Sequence, residues 1–245
     1  DNPYLYLTPN KSGVKIVGEI MLGFRGALEL LASFDKEVYG IILLSLYVSL
    51  TSSLISTIVA VPMGIVLGLK DFPLKKFVVR IIYTFMSIPP VIVGLVVFLI
   101  ISRKGPLGFL QINFTPAAMI VAQTCLLIPI IAGIVYNGTK EKGKTIKMVG
   151  RTLGAGKTQT LMLLIKELRV NIFMAIVTGY GRAISEVGAV MIVGGNIRGH
   201  TRVMTTTIAM LQSMGEYDMA IAIGIVLLVL SFIINSILYH YQQGE

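Results

Sequence analysis

Two opposite charges stand four residues apart inside an apolar stretch of this chain. Between residues 170 and 193 the strongly polar side chains are Asn171, Arg182 and Glu186. Because residues at i and i+4 lie on one helix face, the sequence predicts that Arg182 and Glu186 are neighbours. A charge at mid-bilayer costs about 2.5–3.5 kcal/mol on insertion scales, so both should face protein or water. Two interpretations remain open: an ion pair that fixes helix packing, or a polar face that includes Ser185 and lines a substrate path.

A second polar segment is rich in glycine and positive charge. Residues 194–210 contain two arginines, a histidine, amides and hydroxyls, and no acidic residue occurs from 187 to 215. Guanidinium and amide groups are suitable partners for an anion. The sequence therefore predicts weak attraction of an anion, with Asn196 and Arg198 beside its path. A turn whose arginines contact lipid headgroups or a partner protein fits the same residues, Arg202 above all.

The sequence gives little support for a metal site, a catalytic site or a nucleotide site. His200 and His240 are the only histidines and Cys125 is the only cysteine, which predicts no metal site, no catalytic residue and no cofactor. Residues 156–158, Gly-Lys-Thr, resemble the end of a phosphate-binding loop, but that pattern requires glycine where Arg151 stands. We therefore expect no enzyme activity and no ATP binding in this chain.

The composition places these charges in a membrane protein. Of 245 residues, 55% are hydrophobic and 13% are charged, whereas a soluble domain has about 25% charged residues. This predicts an all-α fold, a polytopic helical bundle in the cytoplasmic membrane. The net charge of +9 does not indicate nucleic-acid binding, because the basic residues stand between apolar stretches, as in cytoplasmic loops of membrane proteins.

Five stretches are long enough to cross a bilayer, which requires about 20 mostly apolar residues. They are residues 39–69, 81–101, 116–136, 171–193 and 218–240. Pro89 and Pro90 predict a kink in the second of them. Loops 70–80 and 137–170 hold twelve Lys and Arg residues against six on the other side. By the positive-inside rule, the N-terminus is then outside and the C-terminus inside.

The assignment of the five spans divides the chain into two regions. Residues 1–37 are expected to form an N-terminal extension that ends in an interfacial amphipathic helix over 22–37. Residues 38–241 are expected to form the transmembrane domain.

The loop 137–170 has the periodicity of two helices. Apolar residues recur at helical spacing before Gly154 and after Gly156, which predicts a helix, a glycine turn, a second helix and direct continuation into the fourth span. A rigid element of this kind suits a cytoplasmic partner. A solvated basic loop that only sets the topology fits the periodicity equally well.

The residues of this loop resemble a known signature. The run RTLGAGKTQT at 151–160, followed by GRAISEVGAVMIVGGN at 181–196, is similar to the signature loop of ABC importer permeases. The family pattern is Glu-Ala-Ala, three residues, Gly, nine residues and Ile-x-Leu-Pro. Gly154 takes the place of the family glycine and Leu164 that of the isoleucine. Residues 148–150 depart from Glu-Ala-Ala, and residues 166–167 depart from Leu-Pro.

The resemblance implies a MetI-like permease fold with five spans, working as a symmetric dimer with two ATP-binding cassette ATPase subunits and an extracytoplasmic substrate-binding protein. It implies that the ATPase-coupling element consists of Met148, Val149, Gly150, Arg151, Thr152, Leu153, Gly154 and Ala155. Residues 185–210 most resemble the tungstate branch of the molybdate, tungstate and sulfate permeases. The expected function is therefore ATP-driven oxyanion import, with molybdate or sulfate as alternative cargo. The rival class is a secondary transporter, which needs no ATPase.

Overall fold

The computed structural model describes residues 36–243 and, before them, residues 23, 25–29 and 32. Residues 1–22 of the predicted N-terminal region 1–37 lie outside the described part. Residues 25–29 are helical, in the region where an interfacial helix is predicted.

Regular structure within the described residues is helical throughout, which confirms the predicted all-α bundle. In chain order the helices are α1 (Lys36–Leu69), α2 (Lys75–Met86), α3 (Pro90–Ile101), α4 (Pro116–Thr152), α5 (Lys157–Glu167), α6 (Arg169–Ile184), α7 (Gly188–Gly194), α8 (Met204–Met214) and α9 (Tyr217–Gln243). One turn of 3-10 helix, Gly108–Leu110, lies between α3 and α4.

Five spans are present when each bent helix pair counts as one span. Helices α1, α4 and α9 are long and apolar enough to cross a membrane alone. Helices α2 and α3 form a pair bent by 103°, and α6 and α7 form a pair bent by 57°. The number of predicted spans is therefore confirmed. The kink predicted at Pro89 and Pro90 is confirmed by the break between α2 and α3, whereas the prediction of a continuous helix over 171–193 is wrong.

The first of these breaks has a local cause. Pro89 takes an extended backbone (φ −60°, ψ 128°) before Pro90, the first residue of α3, because a residue that precedes proline is disfavoured in the helical region. At the second break, the Ser185 hydroxyl donates to the carbonyl oxygen of Gly181 at 2.8 Å. A bond of this type also occurs inside the unbroken helix α1, at Ser45, so it does not by itself end a helix. At the second break, the Ala183 carbonyl oxygen accepts a side-chain hydrogen bond from Gln123 of α4.

Helix α4 lies at the centre of the bundle. In the most apolar 18-residue window of α4, 61% is buried. The corresponding share is 39% for α1 and 22% for α9. It contributes Met119 to one core cluster, which also contains Val193, and Leu127 to a second, which also contains Leu168. The other helices surround it, and their outer faces are apolar, as a lipid environment requires.

Close contact between α1 and α4 depends on Gly64. A Cβ at this position would lie 2.8 Å from the Ala132 carbonyl oxygen and 2.8 Å from Val135 Cβ, whereas a Cβ at Gly40 would have no atom within 4 Å. We expect Gly64→Ala to destabilise the protein by about 1–3 kcal/mol, because α1 and α4 must separate. Gly40→Ala, in the same helix, should be neutral or slightly stabilising. Thermal unfolding in detergent micelles measures both, and equal shifts would contradict the close packing at Gly64.

Candidate coupling element and substrate path

The predicted coupling residues lie at the end of a long continuous helix. Helix α4 runs 37 residues to Thr152 without a break, well past residue 136, where the predicted span ends. The separate short helix expected before Gly154 is therefore the last part of α4. Since a helix rises about 1.5 Å per residue, α4 is about 55 Å long and extends beyond the hydrocarbon core.

The turn after α4 is fixed by backbone hydrogen bonds. The Gly154 N–H donates to the Arg151 carbonyl oxygen at 3.1 Å, and the Ala155 N–H donates to that of Gly150 at 2.8 Å. Gly154 has a φ of +72°, which side chains other than glycine rarely adopt. This bonding pattern is the Schellman motif, which ends a helix with a sharp reversal.

The second helix starts directly after this turn. The Gly156 N–H donates to Gln159 Oε1 at 2.8 Å, which satisfies one unpaired donor at the start of α5. Lys142 Nζ of α4 lies 3.4 Å from Glu167 Oε1 of α5. Helix α6 begins at Arg169, with a single residue between it and the end of α5. The predicted helix, glycine turn, helix and continuation into the fourth span are confirmed.

The tip of this element exposes apolar side chains. Met148, Leu153 and Met162 are 69%, 77% and 72% exposed. Among the other predicted coupling residues, Val149, Arg151, Thr152 and Gly154 are exposed, Ala155 is half-buried and Gly150 is buried. Beside the tip lies a groove of about 410 Å³ lined by Glu141, Lys142, Thr145, Ile146, Val149, Leu163 and Glu167. An exposed apolar patch with a polar rim is typical of a protein-binding surface.

The two basic loops predicted to be cytoplasmic lie at the same end of the bundle. Lys75 Nζ donates to Asp71 Oδ1 at 2.9 Å. This hydrogen bond and the charge of Lys75 lower the pKa of the Asp71 carboxyl, and Lys144 and Lys147 of α4 lower it further. Positive charge is thus concentrated at one end. The orientation of that end in the membrane stays a prediction.

The two charges of the fourth span meet at the break between α6 and α7. Helix α6 ends at Ile184, so the prediction that Arg182 and Glu186 share one helix is wrong, although Arg182 Nη2 lies 3.5 Å from Glu186 Oε2. The other carboxylate oxygen, Oε1, accepts the Ala189 N–H at 3.1 Å. The Glu186 side chain is 5% exposed and that of Arg182 is 43% exposed. Glu186 is therefore held inside the bundle, while Arg182 extends towards its surface.

A buried hydrogen-bond network surrounds this break. Gln123 Nε2 of α4 donates to the Ala183 carbonyl oxygen at 3.0 Å, and Ser52 Oγ of α1 donates to Gln123 Oε1 at 2.7 Å. Thr205 Oγ1 of α8 donates to the Glu186 carbonyl oxygen at 2.9 Å. Sequence reasoning missed Gln123 and Thr205. The available signal was that Gln123 carries the only side-chain amide in the predicted span 116–136.

One face of α6 carries polar side chains that the described part of the chain leaves uncovered. Thr178 and Arg182 of α6 and Ser185, the residue directly after its end, are exposed, and their spacing of four and three residues places them on one side. Within a membrane span, an exposed guanidinium must face water or another protein. The structure thus brings together Arg182, Ser185 and Glu186 of the predicted path.

Asn196 and Arg198 belong to a second group, after α7. Asn196 is half-buried with a φ of 50°, and its Nδ2 lies 3.6 Å from Met210 Sδ. Arg198 Nε donates to Glu37 Oε1 of α1 at 2.7 Å. Arg202 Nη1 lies 3.9 Å from the same oxygen. Glu37 is 161 residues away in the sequence, so the absence of acidic residues from 187 to 215 did not reveal this partner of Arg198.

The chain matches known membrane transport proteins over most of its length. Residues 60–244 match the family described as binding-protein-dependent transport system inner membrane component. The chain is 55% identical to the tungstate uptake system permease protein TupB of Peptoclostridium acidaminophilum, over 90% of this chain and 97% of that protein. It is 38% identical to a probable anion ABC transporter permease protein of Haloferax volcanii, covering 79% and 85% of the two chains. It is 35% identical to TupB of Campylobacter jejuni, covering 90% and 92%.

Proposed function

Since this chain belongs to the family of binding-protein-dependent transport system inner membrane components, we propose that it is the permease of a tungstate importer driven by separate ATPase subunits. The cargo is inferred from two relatives named as tungstate uptake permeases, at 55% and 35% identity over 90% of this chain. The observation that carries the ATP-driven mechanism is the exposed apolar turn at the end of α4.

The coupling element transmits force because it is stiff. Helix α4 passes through the centre of the bundle and ends at the turn of Met148–Ala155, so a push on that turn moves the core of the permease as a rigid body. In this proposal, each of two permease copies binds one ATP-binding cassette subunit through the exposed Met148 and Leu153 side chains. Closure of the two ATPases on ATP then changes which side of the membrane the path opens to.

The substrate path lies between two copies of the chain. The polar face of α6 with Thr178, Arg182 and Ser185 is exposed, and a twofold-symmetric dimer would cover it. Arg182 supplies positive charge for an anion, while the buried Glu186 limits how tightly that anion is held. Asn196 and Arg198 are placed nearer the outer mouth, where an extracytoplasmic binding protein delivers the anion.

Uptake into membrane vesicles tests this proposal. Vesicles that carry the chain with its ATPase subunits and binding protein should accumulate radioactive tungstate only when ATP is supplied inside. Unlabelled tungstate should compete better than molybdate, and sulfate should compete least. Stronger competition by molybdate or sulfate would reassign the cargo. Uptake without the ATPase subunits would instead indicate a secondary transporter.

A further inference from the structure

A basic groove lies beside the first turns of α1. Its volume is about 600 Å³, and its lining includes Lys36, Glu37, Arg198, His200 and Arg202. The cationic side chains of Lys36, Arg198 and Arg202 face one carboxylate. The groove is therefore a place where a small anion would be attracted.

Glu37 occupies the position in this groove that an anion would take. Its Oε1 accepts a hydrogen bond from Arg198 Nε at 2.7 Å, and its Oε2 accepts one from Arg198 Nη2. Arg202 Nη1 lies 3.9 Å from Oε1. The guanidinium fork binds carboxylates and tetrahedral oxyanions with the same bidentate geometry. Two arginines thus converge on a single negative group that the chain itself supplies.

One donor in this group has no acceptor. Arg202 Nε is buried, and no hydrogen-bond partner for it is found in the described part of the chain. A buried donor without a partner is unfavourable, because its hydration is lost and no hydrogen bond replaces it. Glu37 has two carboxylate oxygens and both are directed to Arg198. A tetrahedral oxyanion has four oxygens and can serve both guanidinium groups.

The turn that carries the two arginines is held in place. The Ile197 carbonyl oxygen accepts the backbone N–H groups of His200, Thr201 and Arg202, at 3.0–3.1 Å. Thr201 Oγ1 accepts the Ile197 N–H at 3.0 Å. Arg198 and Arg202 are therefore presented to the groove by a fixed backbone, which lowers the entropy lost when an anion binds.

We propose that this groove is an outer oxyanion site, in which Arg198 and Arg202 hold the anion and the Glu37 carboxylate is a built-in competitor. In the absence of anion, Glu37 neutralises the arginines. An arriving dianion displaces the carboxylate, and the return of the carboxylate releases the anion. Arg198 is 73% exposed, so the site is weak and exchanges quickly, as transfer to a deeper path requires. The choice of tungstate as the natural anion rests on the proposed function.

Tungstate binding to the assembled transporter tests this site without any uptake measurement. The permease with its ATPase subunits is placed in lipid nanodiscs without nucleotide or binding protein, and bound tungstate is measured by equilibrium dialysis. Glu37→Gln should tighten binding about fivefold, because the competitor is lost. Arg198→Gln and Arg202→Gln should each weaken binding about fivefold or more. Arg198→Lys keeps the positive charge but loses the bidentate hydrogen-bond geometry of the guanidinium group. Its affinity for tungstate should therefore lie between those of the wild type and Arg198→Gln.

The matched control is Glu216→Gln, which removes another exposed carboxylate, between α8 and α9 and outside the groove. Unchanged or weaker binding in Glu37→Gln would overturn the proposal, and so would equal tightening in Glu216→Gln. Thermal unfolding of each variant confirms that it is folded. A wrong cargo assignment gives a different result. In that case the wild-type transporter does not take up tungstate, but the groove variants still shift the binding of sulfate, measured by the same dialysis, in the predicted directions.

Discussion

Removal of either member of the Arg182–Glu186 pair alone should destabilise the protein more than removal of both. Glu186 is 5% exposed, and its carboxylate pairs with Arg182 and accepts the Ala189 N–H. Loss of one partner of a buried pair leaves an uncompensated charge, which typically costs 3–5 kcal/mol. Because Arg182 is 43% exposed, we expect about 2 kcal/mol for Arg182→Ala and for Glu186→Ala. The double variant should recover about half of that loss.

A double-mutant cycle on unfolding in detergent micelles measures this coupling. Arg25 and Glu29 form a matched control, since their ion pair has the same residue types and spacing but side chains 79% and 67% exposed. Alanine variants of the control pair should change stability by less than about 0.5 kcal/mol. If the effects of Arg182→Ala and Glu186→Ala simply add in the double variant, the two charges do not stabilise each other.

Replacement of Gly154 by alanine should uncouple ATP hydrolysis from transport. Its φ of +72° costs an alanine about 1–2 kcal/mol, so the tight turn that joins α4 to α5 is populated less. We expect tungstate uptake to fall about fivefold to tenfold. Because the exposed turn can relax locally without opening the core, the unfolding temperature of the isolated permease should fall by only a few degrees.

Gly156→Ala is the control for this substitution. Gly156 lies two residues further on and has a φ of −68°, which alanine adopts freely. Its nearest contact for a new Cβ is Gln159 Oε1 at 3.7 Å. The two variants are compared in proteoliposomes by the tungstate transported per ATP hydrolysed. Equal loss in both, or full activity in Gly154→Ala, would show that the backbone conformation at Gly154 is not required for coupling.

Some features of the chain follow from local sequence because their physical cause is local. The thickness of the bilayer sets a minimum length of apolar sequence, and so residues 39–69 and 218–240 predict α1 and α9 nearly to their ends. The turn at Gly154 is equally local, because a left-handed backbone favours glycine and the helices on each side have their own periodicity.

The buried face of each span could not be assigned from local sequence. Lipid and protein interior both select apolar side chains, so a membrane helix is apolar on all sides and its sequence does not mark the buried face. Only the packed structure shows that α4 is central and that Gln123 joins α1 to α6.

Local sequence patterns are thus sufficient to predict a membrane protein with five candidate spans and a helix–turn–helix element, and to relate it to importer permeases. Tertiary contacts were needed to locate the break at Ser185–Val187, the buried position of Glu186 and the pairing of Glu37 with Arg198. The physical reason is that a charge in a membrane protein is compensated by whichever helix lies beside it. That neighbour can be 161 residues away in the chain.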